Sequence, residues 1–195
     1  MKKNENGRSM VEMLGVLAII GVLSAGALAG YNKAMQKHKI NQLISDLEMI
    51  IEGLWQYKDT LESYSADLTQ VFLANEIQSL NLMPATWSKK NDNAFLDSFQ
   101  NTLTFFIREN RLVIDYYIGK GKENFCSDLL LNFAKPNAHA LYSIWPYPVG
   151  TTVFGDDSCT DNEVCIRDMT ASDIHKVCSD CSAIECIMVF NFSHY

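Results

Sequence analysis

The feature that most constrains this chain is an uncharged apolar run near its amino terminus. Between Met13 and Asn32, about 20 consecutive residues carry no charge, and as a helix they would span roughly 30 Å, the thickness of a bilayer core. A single acidic residue, Glu12, precedes the run. A carboxylate near the middle of a bilayer costs about 2.5–3.5 kcal/mol, so it requires a partner there. The run therefore predicts a helix that lies in apolar surroundings.

A helical pattern continues well beyond this run. Leucine and isoleucine recur every three or four residues and form one apolar stripe, which consists of Ile40, Leu43, Leu47, Ile50, Ile51, Leu54 and Leu61. No proline interrupts residues 8–62, so we expect one helix of about 50 residues. Its front part, 8–32, is apolar on all sides, and its rear part, 33–62, is amphipathic. The stripe predicts that the rear part packs against a globular head formed by residues 63–195.

The residues at the start of this helix resemble the processing site of the type IV pilin superfamily. Gly7 is followed after four residues by Glu12 and then by the apolar run. The resemblance implies that a prepilin peptidase removes a leader, residues 1–7, by cutting between Gly7 and Arg8, and that it methylates the new amino group of Arg8. Glu12 then becomes the fifth residue of the mature chain and assists assembly by pairing with a neighbour's amino terminus. Arg8 differs from the apolar first residue that is usual in the family.

The same resemblance implies a location and a set of partners. The precursor is held in the bacterial inner membrane by the apolar segment 8–32. The mature subunit joins copies of itself in a helical filament, an extracellular pilus, with the help of pilus or type II secretion assembly machinery. In that filament the apolar segments bundle in the core and the heads face solvent.

An ordinary secretory signal and a plain membrane anchor are alternative interpretations of this segment. A signal would use Lys2 and Lys3 as its basic start and residues 27–29 as its cleavage site. Against a signal, Glu5 and Glu12 lie in the long polar stretch before the apolar core, and the helical pattern continues past residue 29. Basic residues lie on both sides of the run, so the positive-inside rule does not choose an orientation.

The cysteines indicate an oxidising compartment. The chain has six, at Cys126, Cys159, Cys165, Cys178, Cys181 and Cys186. An even number of cysteines in an exported head predicts disulfides, and six cysteines allow fifteen pairings. A metal site or a redox-active pair at Cys178 and Cys181 is the alternative interpretation, but a structural zinc site needs a second suitably spaced pair.

The head predicts a mixture of helices and strands. Runs rich in β-branched and aromatic residues predict a hairpin and a last strand, at 102–107, 112–118 and 186–192. Helical spacing predicts three short helices, at 68–82, 126–133 and, capped by Thr170, 171–178. Segment 136–163 has no clear period, which predicts an exposed loop. The expected fold is therefore α+β: a long amino-terminal helix packed on a small antiparallel sheet head with disulfides.

This order of elements resembles the type IVb pilins in particular. The resemblance rests on Leu80-Asn-Leu-Met-Pro84 before the strand pair, on Cys126 at the start of a helix and on a late cysteine, Cys178. It implies a pilin fold in which a long bridge joins Cys126 to Cys178 or Cys186, and Cys159 pairs with Cys165. A bridge that closes a loop of about 50 residues contributes about 4 kcal/mol in the chain-entropy model.

No residue pattern indicates catalysis, a cofactor or a metal site. The four histidines lie in no recognised catalytic motif, and no glycine-rich phosphate loop occurs. The acidic residues of segment 156–163 lack the spacing of a calcium-binding loop. The net charge of −7 disfavours nucleic acid as a primary ligand.

We therefore expect a structural subunit, a type IV pilin of the IVb kind, rather than an enzyme. One alternative is a pseudopilin of a type II secretion system, which would act in the periplasm. Another is a minor or conjugation-type pilin with an adhesive surface at 136–163. From a different class, the chain could be a secreted binding module behind a cleaved signal peptide.

Overall fold

A computed structural model describes residues 6–63, 68–148, 150–182 and 184–193. Residues 1–5 of the predicted leader lie outside the described residues. The chain divides into two compact units, one ending at Lys39 and the other beginning at Ile40. The first helix, α1 (Asn6–Trp55), contributes residues to both units.

In the second unit, the rear part of α1 packs against the head through the predicted apolar stripe. Leu43, Leu47, Ile50 and Leu54 are at most 1% exposed, and their spacing of three or four residues places them on one face of the helix. These side chains join the main hydrophobic core of the head. The amphipathic reading of this part of the helix is confirmed.

The helix is shorter than predicted. α1 ends at Trp55, and a separate short helix, α2, covers Lys58–Glu62, whereas the sequence predicted helix to residue 62. Tyr57 has φ −113° and ψ 18°, and its N–H donates to the carbonyl of Leu54 in a turn. Leu61 is nevertheless 4% exposed and belongs to the core. The turn at 56–57 is therefore compatible with burial of the whole stripe.

Within the described residues, eight strands form one sheet. They are β1 (Val71–Phe72), β2 (Ser88–Asn91), β3 (Ala94–Leu96), β4 (Thr102–Arg108), β5 (Arg111–Ile118), β6 (Leu141–Tyr147), β7 (Val153–Phe154) and β8 (Cys186–Phe192). Their order is β2-β3-β4-β5-β8-β6-β7, with β1 also paired to β4, and every strand pair is antiparallel. The last strand in the sequence thus lies between β5 and β6 in the middle of the sheet.

The predicted hairpin is confirmed as β4 and β5. Arg108 pairs with Arg111 at its end, and the two residues between them, Glu109 and Asn110, have φ of 53° and 56°. Two consecutive residues with positive φ are the signature of a type I′ turn, whose twist matches that of the flanking strands. The predicted strand 186–192 is confirmed as β8.

Two sequence predictions for the head are wrong. Segment 68–82 is not one helix, because Val71 and Phe72 pair with β4 as β1 and a helix, α3, covers only Ala74–Ser79. Segment 136–163 is not entirely a loop, because it contains β6 and β7. Leu141 and Ile144 of β6 are fully buried. Because Pro146 is unusual in a strand, the sequence pattern did not indicate β6. The proline is tolerated because β7 pairs with β6 only at Ser143 and Ile144.

The remaining helices follow the predictions. α4 covers Glu123–Leu129 and continues as a π-helical turn at Leu130–Ala134, and α5 covers Ala171–Ser179. Thr170 caps α5 as predicted: the N–H of Asp173 donates to Oγ1 of Thr170 at 3.3 Å, and the N–H of Thr170 donates to the Asp173 carboxylate at 2.9 Å. This reciprocal pair has the geometry of a capping box.

Two buried carboxylates tie distant segments together. Asp46 of α1 is 6% exposed and accepts hydrogen bonds from the side-chain amide of Gln42 at 2.9 Å and from the indole N–H of Trp87 at 3.1 Å. Both donors compensate the cost of burying the carboxylate. The second bond fixes the rear of α1 to the segment before β2, 41 residues away in the sequence.

Asp97 is fully buried in the turn between β3 and β4. It accepts hydrogen bonds from the backbone N–H groups of Phe99 and Asn101, both at 2.8 Å, and from the hydroxyl of Tyr116. Lys122, next to α4, donates to the side-chain oxygen of Asn101 at 2.8 Å. Burial, and then the proximity of Asp97, raises the pKa of Tyr116 well above its usual value, so Tyr116 serves as a neutral donor. This network joins the turn, β5 and the start of α4.

Candidate assembly site

The front part of α1 is exposed along its whole described length. Every residue from Met10 to Ala34 is exposed, and twelve large apolar side chains between Met10 and Tyr31 are 53–75% exposed. α1 is long and apolar enough to cross a membrane, and none of its most apolar 18-residue stretch is buried. A cleavable signal sequence passes the same test of length and composition.

The exposure of these side chains has a large energetic consequence. Burying one large apolar side chain contributes about 1.5–3 kcal/mol, so twelve of them represent roughly 20–35 kcal/mol if fully removed from water. That exceeds the 5–15 kcal/mol by which a typical domain is stable. Transfer of the front part of α1 from water to apolar surroundings is therefore strongly favourable.

The glycines of the front part have no packing role within the chain. A Cβ added at Gly15, Gly21, Gly26 or Gly30 would meet nothing within 4 Å, yet glycine in a helix costs about 1 kcal/mol relative to alanine. Gly26 and Gly30 are four residues apart and lie on the same side of the helix. Such small residues permit close approach of helices in a membrane.

The predicted processing residues lie at the beginning of α1. Because α1 starts at Asn6, the peptide bond between Gly7 and Arg8 lies in its first turn. Glu12 is exposed and lies in the second turn, beyond the first turn to which the favourable dipole effect is largely confined. The favourable effect of the helix dipole on an acidic side chain therefore does not explain the presence of a glutamate at position 12. The Arg8 side chain, its predicted intrahelical partner, lies outside the described side chains.

Three disulfides hold the head, and they include both predicted bridges. Cys126 pairs with Cys178, and Cys159 pairs with Cys165. The third bridge joins Cys181 to Cys186, so the alternative long bridge from Cys126 to Cys186 is wrong. Cys178 and Cys181 pair with different partners, which contradicts a metal or redox pair between them. Within the described residues, no three histidine, cysteine or acidic side chains are grouped as a metal site.

The long bridge joins two helices beneath the sheet. Cys126 is in α4 and Cys178 is in α5, both sulfurs belong to fully buried residues, and 52 residues separate them. The bridge Cys181–Cys186 fixes the first residue of β8 to a 3₁₀ turn, Asp180–Ser182. The first bridge therefore fixes α5 to α4. The second fixes the start of β8, the strand that lies between β5 and β6.

The structure also reveals an acidic side chain that sequence reasoning did not single out. Asp115 interrupts the apolar residues of β5 and points to the face of the sheet opposite the main core, where it pairs with Thr104 and Val189. Burial raises its pKa from 3.8 to about 6, although Arg108 opposes the shift. The sequence signal for Asp115 was a charged residue within the β-rich run 112–118.

The exposed apolar helix, the single antiparallel sheet and the disulfides define an α+β protein with an amino-terminal apolar helix and a bridged head. No known protein family, characterised protein or solved structure matches this chain.

The three bridges predict unequal losses of stability on removal. Replacing Cys126 and Cys178 by alanine should lower the free energy of unfolding by about 4 kcal/mol, because their bridge closes a loop of 52 residues. The same change at Cys159 and Cys165, which are six residues apart, should cost about 2 kcal/mol. Urea unfolding of the full chain in detergent micelles, followed by tryptophan fluorescence, measures both. An equal or reversed order of the two losses would contradict the assignment.

Asp115 predicts a gain of stability on neutralisation. Because its pKa is raised in the folded state, the folded protein binds more protons between pH 4 and about 6, and stability falls as the pH rises through that window. Asp115→Asn should therefore raise the free energy of unfolding at pH 7 by about 1–3 kcal/mol. Asp92→Asn is the control, since that side chain is 98% exposed and its change should be within about 0.5 kcal/mol. A loss of stability in Asp115→Asn at pH 7 would disprove the stated cost.

Proposed function

We propose that this protein is a type IV pilin-like structural subunit, most similar to the type IVb kind. The apolar front part of α1 holds the precursor in the inner membrane, and a prepilin peptidase cuts between Gly7 and Arg8. The mature subunits then polymerise through this helix into an extracellular pilus. The observation that carries the proposal is the exposure of twelve large apolar side chains on a helix whose rear part is fully integrated in the head.

Hydrophobic burial supplies the association energy in this account. In the precursor, a bilayer keeps the apolar side chains of the front part of α1 away from water. In the filament, a bundle of identical helices does the same. Subunits can therefore leave the membrane without exposing the helix to water, provided that they enter the bundle directly. The glycines at 15, 21, 26 and 30, which pack against nothing in the single chain, allow helices in such a bundle to approach closely.

Glu12 sets the register of neighbouring helices, whereas hydrophobic burial supplies most of the association energy. A carboxylate in apolar surroundings must be paired, and cleavage after Gly7 creates a new amino group four residues before it. In a bundle of staggered helices, that amino group on a neighbouring subunit is the matching positive charge. A misplaced subunit would separate the Glu12 carboxylate from that amino group in a medium of low dielectric constant, where the loss of such a charge pair is expensive.

The disulfide-bonded head agrees with export. Three bridges form and persist in oxidising compartments, such as the periplasm and the cell exterior, and they lie entirely in the second unit. The front part of α1 contains no cysteine. A membrane-held helix followed by a head on the oxidising side therefore accounts for the distribution of the cysteines along the chain.

Glu12→Ala tests the proposed register. Membrane insertion should be intact or improved, because the variant removes a charge from the apolar segment, but incorporation into filaments should fall at least about 10-fold, which corresponds to about 1.4 kcal/mol. The measurement is the ratio of labelled variant to wild-type subunits in sheared surface filaments and in the membrane fraction of the native cells. Glu52→Ala is the matched control, since Glu52 is an exposed glutamate in the rear part of the same helix.

Filaments that contain Glu12→Ala and Glu52→Ala in equal proportion would contradict the role of Glu12. Absence of wild-type chain from the sheared surface fraction, together with its presence in the membrane fraction, would point to the pseudopilin alternative. Each outcome bears on a different part of the proposal, because the first concerns register and the second concerns the kind of filament.

A further inference from the structure

A cavity of about 520 Å³ lies on the face of the sheet opposite the main core. Its floor is made by two cross-strand pairs of β4 and β5, Thr104 with Asp115 and Thr102 with Tyr117. Paired residues point to the same face of a sheet, so two hydroxyls, a carboxylate and a phenol share this floor. Its sides come from β1, from Gln70 before it, and from the hairpin of β2 and β3. This volume is in the range of small-molecule sites.

The groups that line the cavity define the chemistry of a ligand. Two aromatic rings, Phe72 and Tyr117, adjoin polar side chains that include three amides, at Gln70, Asn91 and Asn93. The charged lining residues are one lysine, Lys90, and two aspartates, Asp92 and Asp115, so the site has one net negative charge. That charge disfavours an anion, and the many polar groups disfavour a hydrocarbon chain.

Asp115 is the group in the cavity that most needs a ligand. It is partly buried, and among the described residues no side chain or backbone group donates a hydrogen bond to it. The favourable charge of Arg108 does not cancel the cost of its burial. Lys90, the one cation of the lining, instead donates to Oγ1 of Thr102 at 2.8 Å. A ligand with hydroxyl donors would satisfy the Asp115 carboxylate.

Further aromatic rings extend this face of the sheet. Tyr117 pairs with Ile187, and Ile187 pairs with Tyr147 on the next strand, which places the two tyrosines about 10 Å apart. Tyr147 and Trp145 contact each other edge to face, with ring centroids 5.2 Å apart, and both are more than 40% exposed. Exposed amphipathic rings beside convergent polar groups are typical of binding surfaces.

We propose that the cavity over Thr102, Thr104, Asp115 and Tyr117 binds a neutral saccharide. Sugar hydroxyls both donate and accept hydrogen bonds, which matches a floor of hydroxyl, carboxylate and amide groups. The C–H faces of the sugar ring contact Tyr117 and Phe72, and hydroxyl groups donate to Asp115. The proposal does not depend on filament assembly, because all the residues that form the cavity belong to the head.

Saturation-transfer NMR on the full chain tests this proposal. The protein is kept in zwitterionic detergent micelles, because detergents with sugar headgroups would compete. The probes are methyl glucoside, methyl galactoside, N-acetylglucosamine and the anionic sugar glucuronate. At least one neutral probe should receive saturation on its ring C–H protons, with affinity in the millimolar range of about −4 kcal/mol and at least tenfold above that of glucuronate.

Two variants and one control locate the binding. Tyr117→Ala and Asp115→Asn should each weaken binding of the neutral probe at least tenfold, and Asp115→Asn should also reduce the discrimination against glucuronate. Tyr57→Ala is the matched control, because Tyr57 is exposed to a similar extent, 46% against 39% for Tyr117, and does not line the cavity. Tyr57→Ala should bind like the wild type, and circular dichroism should show that all three variants are folded.

Three results would overturn the proposal. The first is no transfer to any neutral probe at about 50 mM, well above the millimolar affinity expected. The second is equal binding of glucuronate by the wild type, and the third is equal loss of binding in the Tyr57→Ala control. None of these results would affect the test of Glu12 in filaments, so the two proposals fail independently.

Discussion

The burial of one helical stripe underlies the rest of the structure. Leu43, Leu47, Ile50 and Leu54 are almost completely removed from water in the core of the head, and truncation of such a residue to alanine costs about 2–5 kcal/mol. The buried Asp46, which accepts a hydrogen bond from Trp87, adds a directional contact to this apolar packing. The stripe belongs to α1, the same helix whose front part carries the exposed apolar residues.

The edges of the sheet in the head discourage pairing with strands of other chains. One edge of the sheet, β2, carries Lys89 and Lys90 and is mostly exposed, and charged edges resist pairing with other strands. The opposite side ends in the two-residue strand β7 beside β6, which contains Pro146. Prolines and very short strands also discourage edge pairing. The surface most in need of a partner is therefore the apolar front of α1, in agreement with assembly through that helix.

Local sequence patterns predicted much of this fold, and the elements that they did not predict depend on long-range contacts. The stripe of α1, the β4–β5 hairpin and the cap at Thr170 depend on residues close in sequence, so periodicity and turn chemistry were sufficient. β1 and β6 depend on partner strands far along the chain, and Pro146 made β6 hard to recognise as a strand. Asp97 and Asp115 required the tertiary structure, because only the fold brings donors to the first and leaves the second partly buried without them. The proposed roles of Gly7 and Glu12 depend on a peptidase and on neighbouring chains, so they were inferred from the spacing of the two residues and not from the fold.

The mass of the amino-terminal peptide, measured on chain purified from the membranes and surface filaments of the native cells, shows whether the chain is cleaved after Gly7 and keeps its apolar helix. Cleavage by a prepilin peptidase predicts a first residue at Arg8, with or without a methyl group, and retention of the whole apolar segment. A first residue at Gly30 would mean that the apolar segment is a discarded signal, and a filament-borne chain that still begins at Met1 would mean that processing after Gly7 does not occur. The first result would contradict a helix that holds the precursor in the membrane and then forms the filament core, and the second would contradict cleavage by a prepilin peptidase.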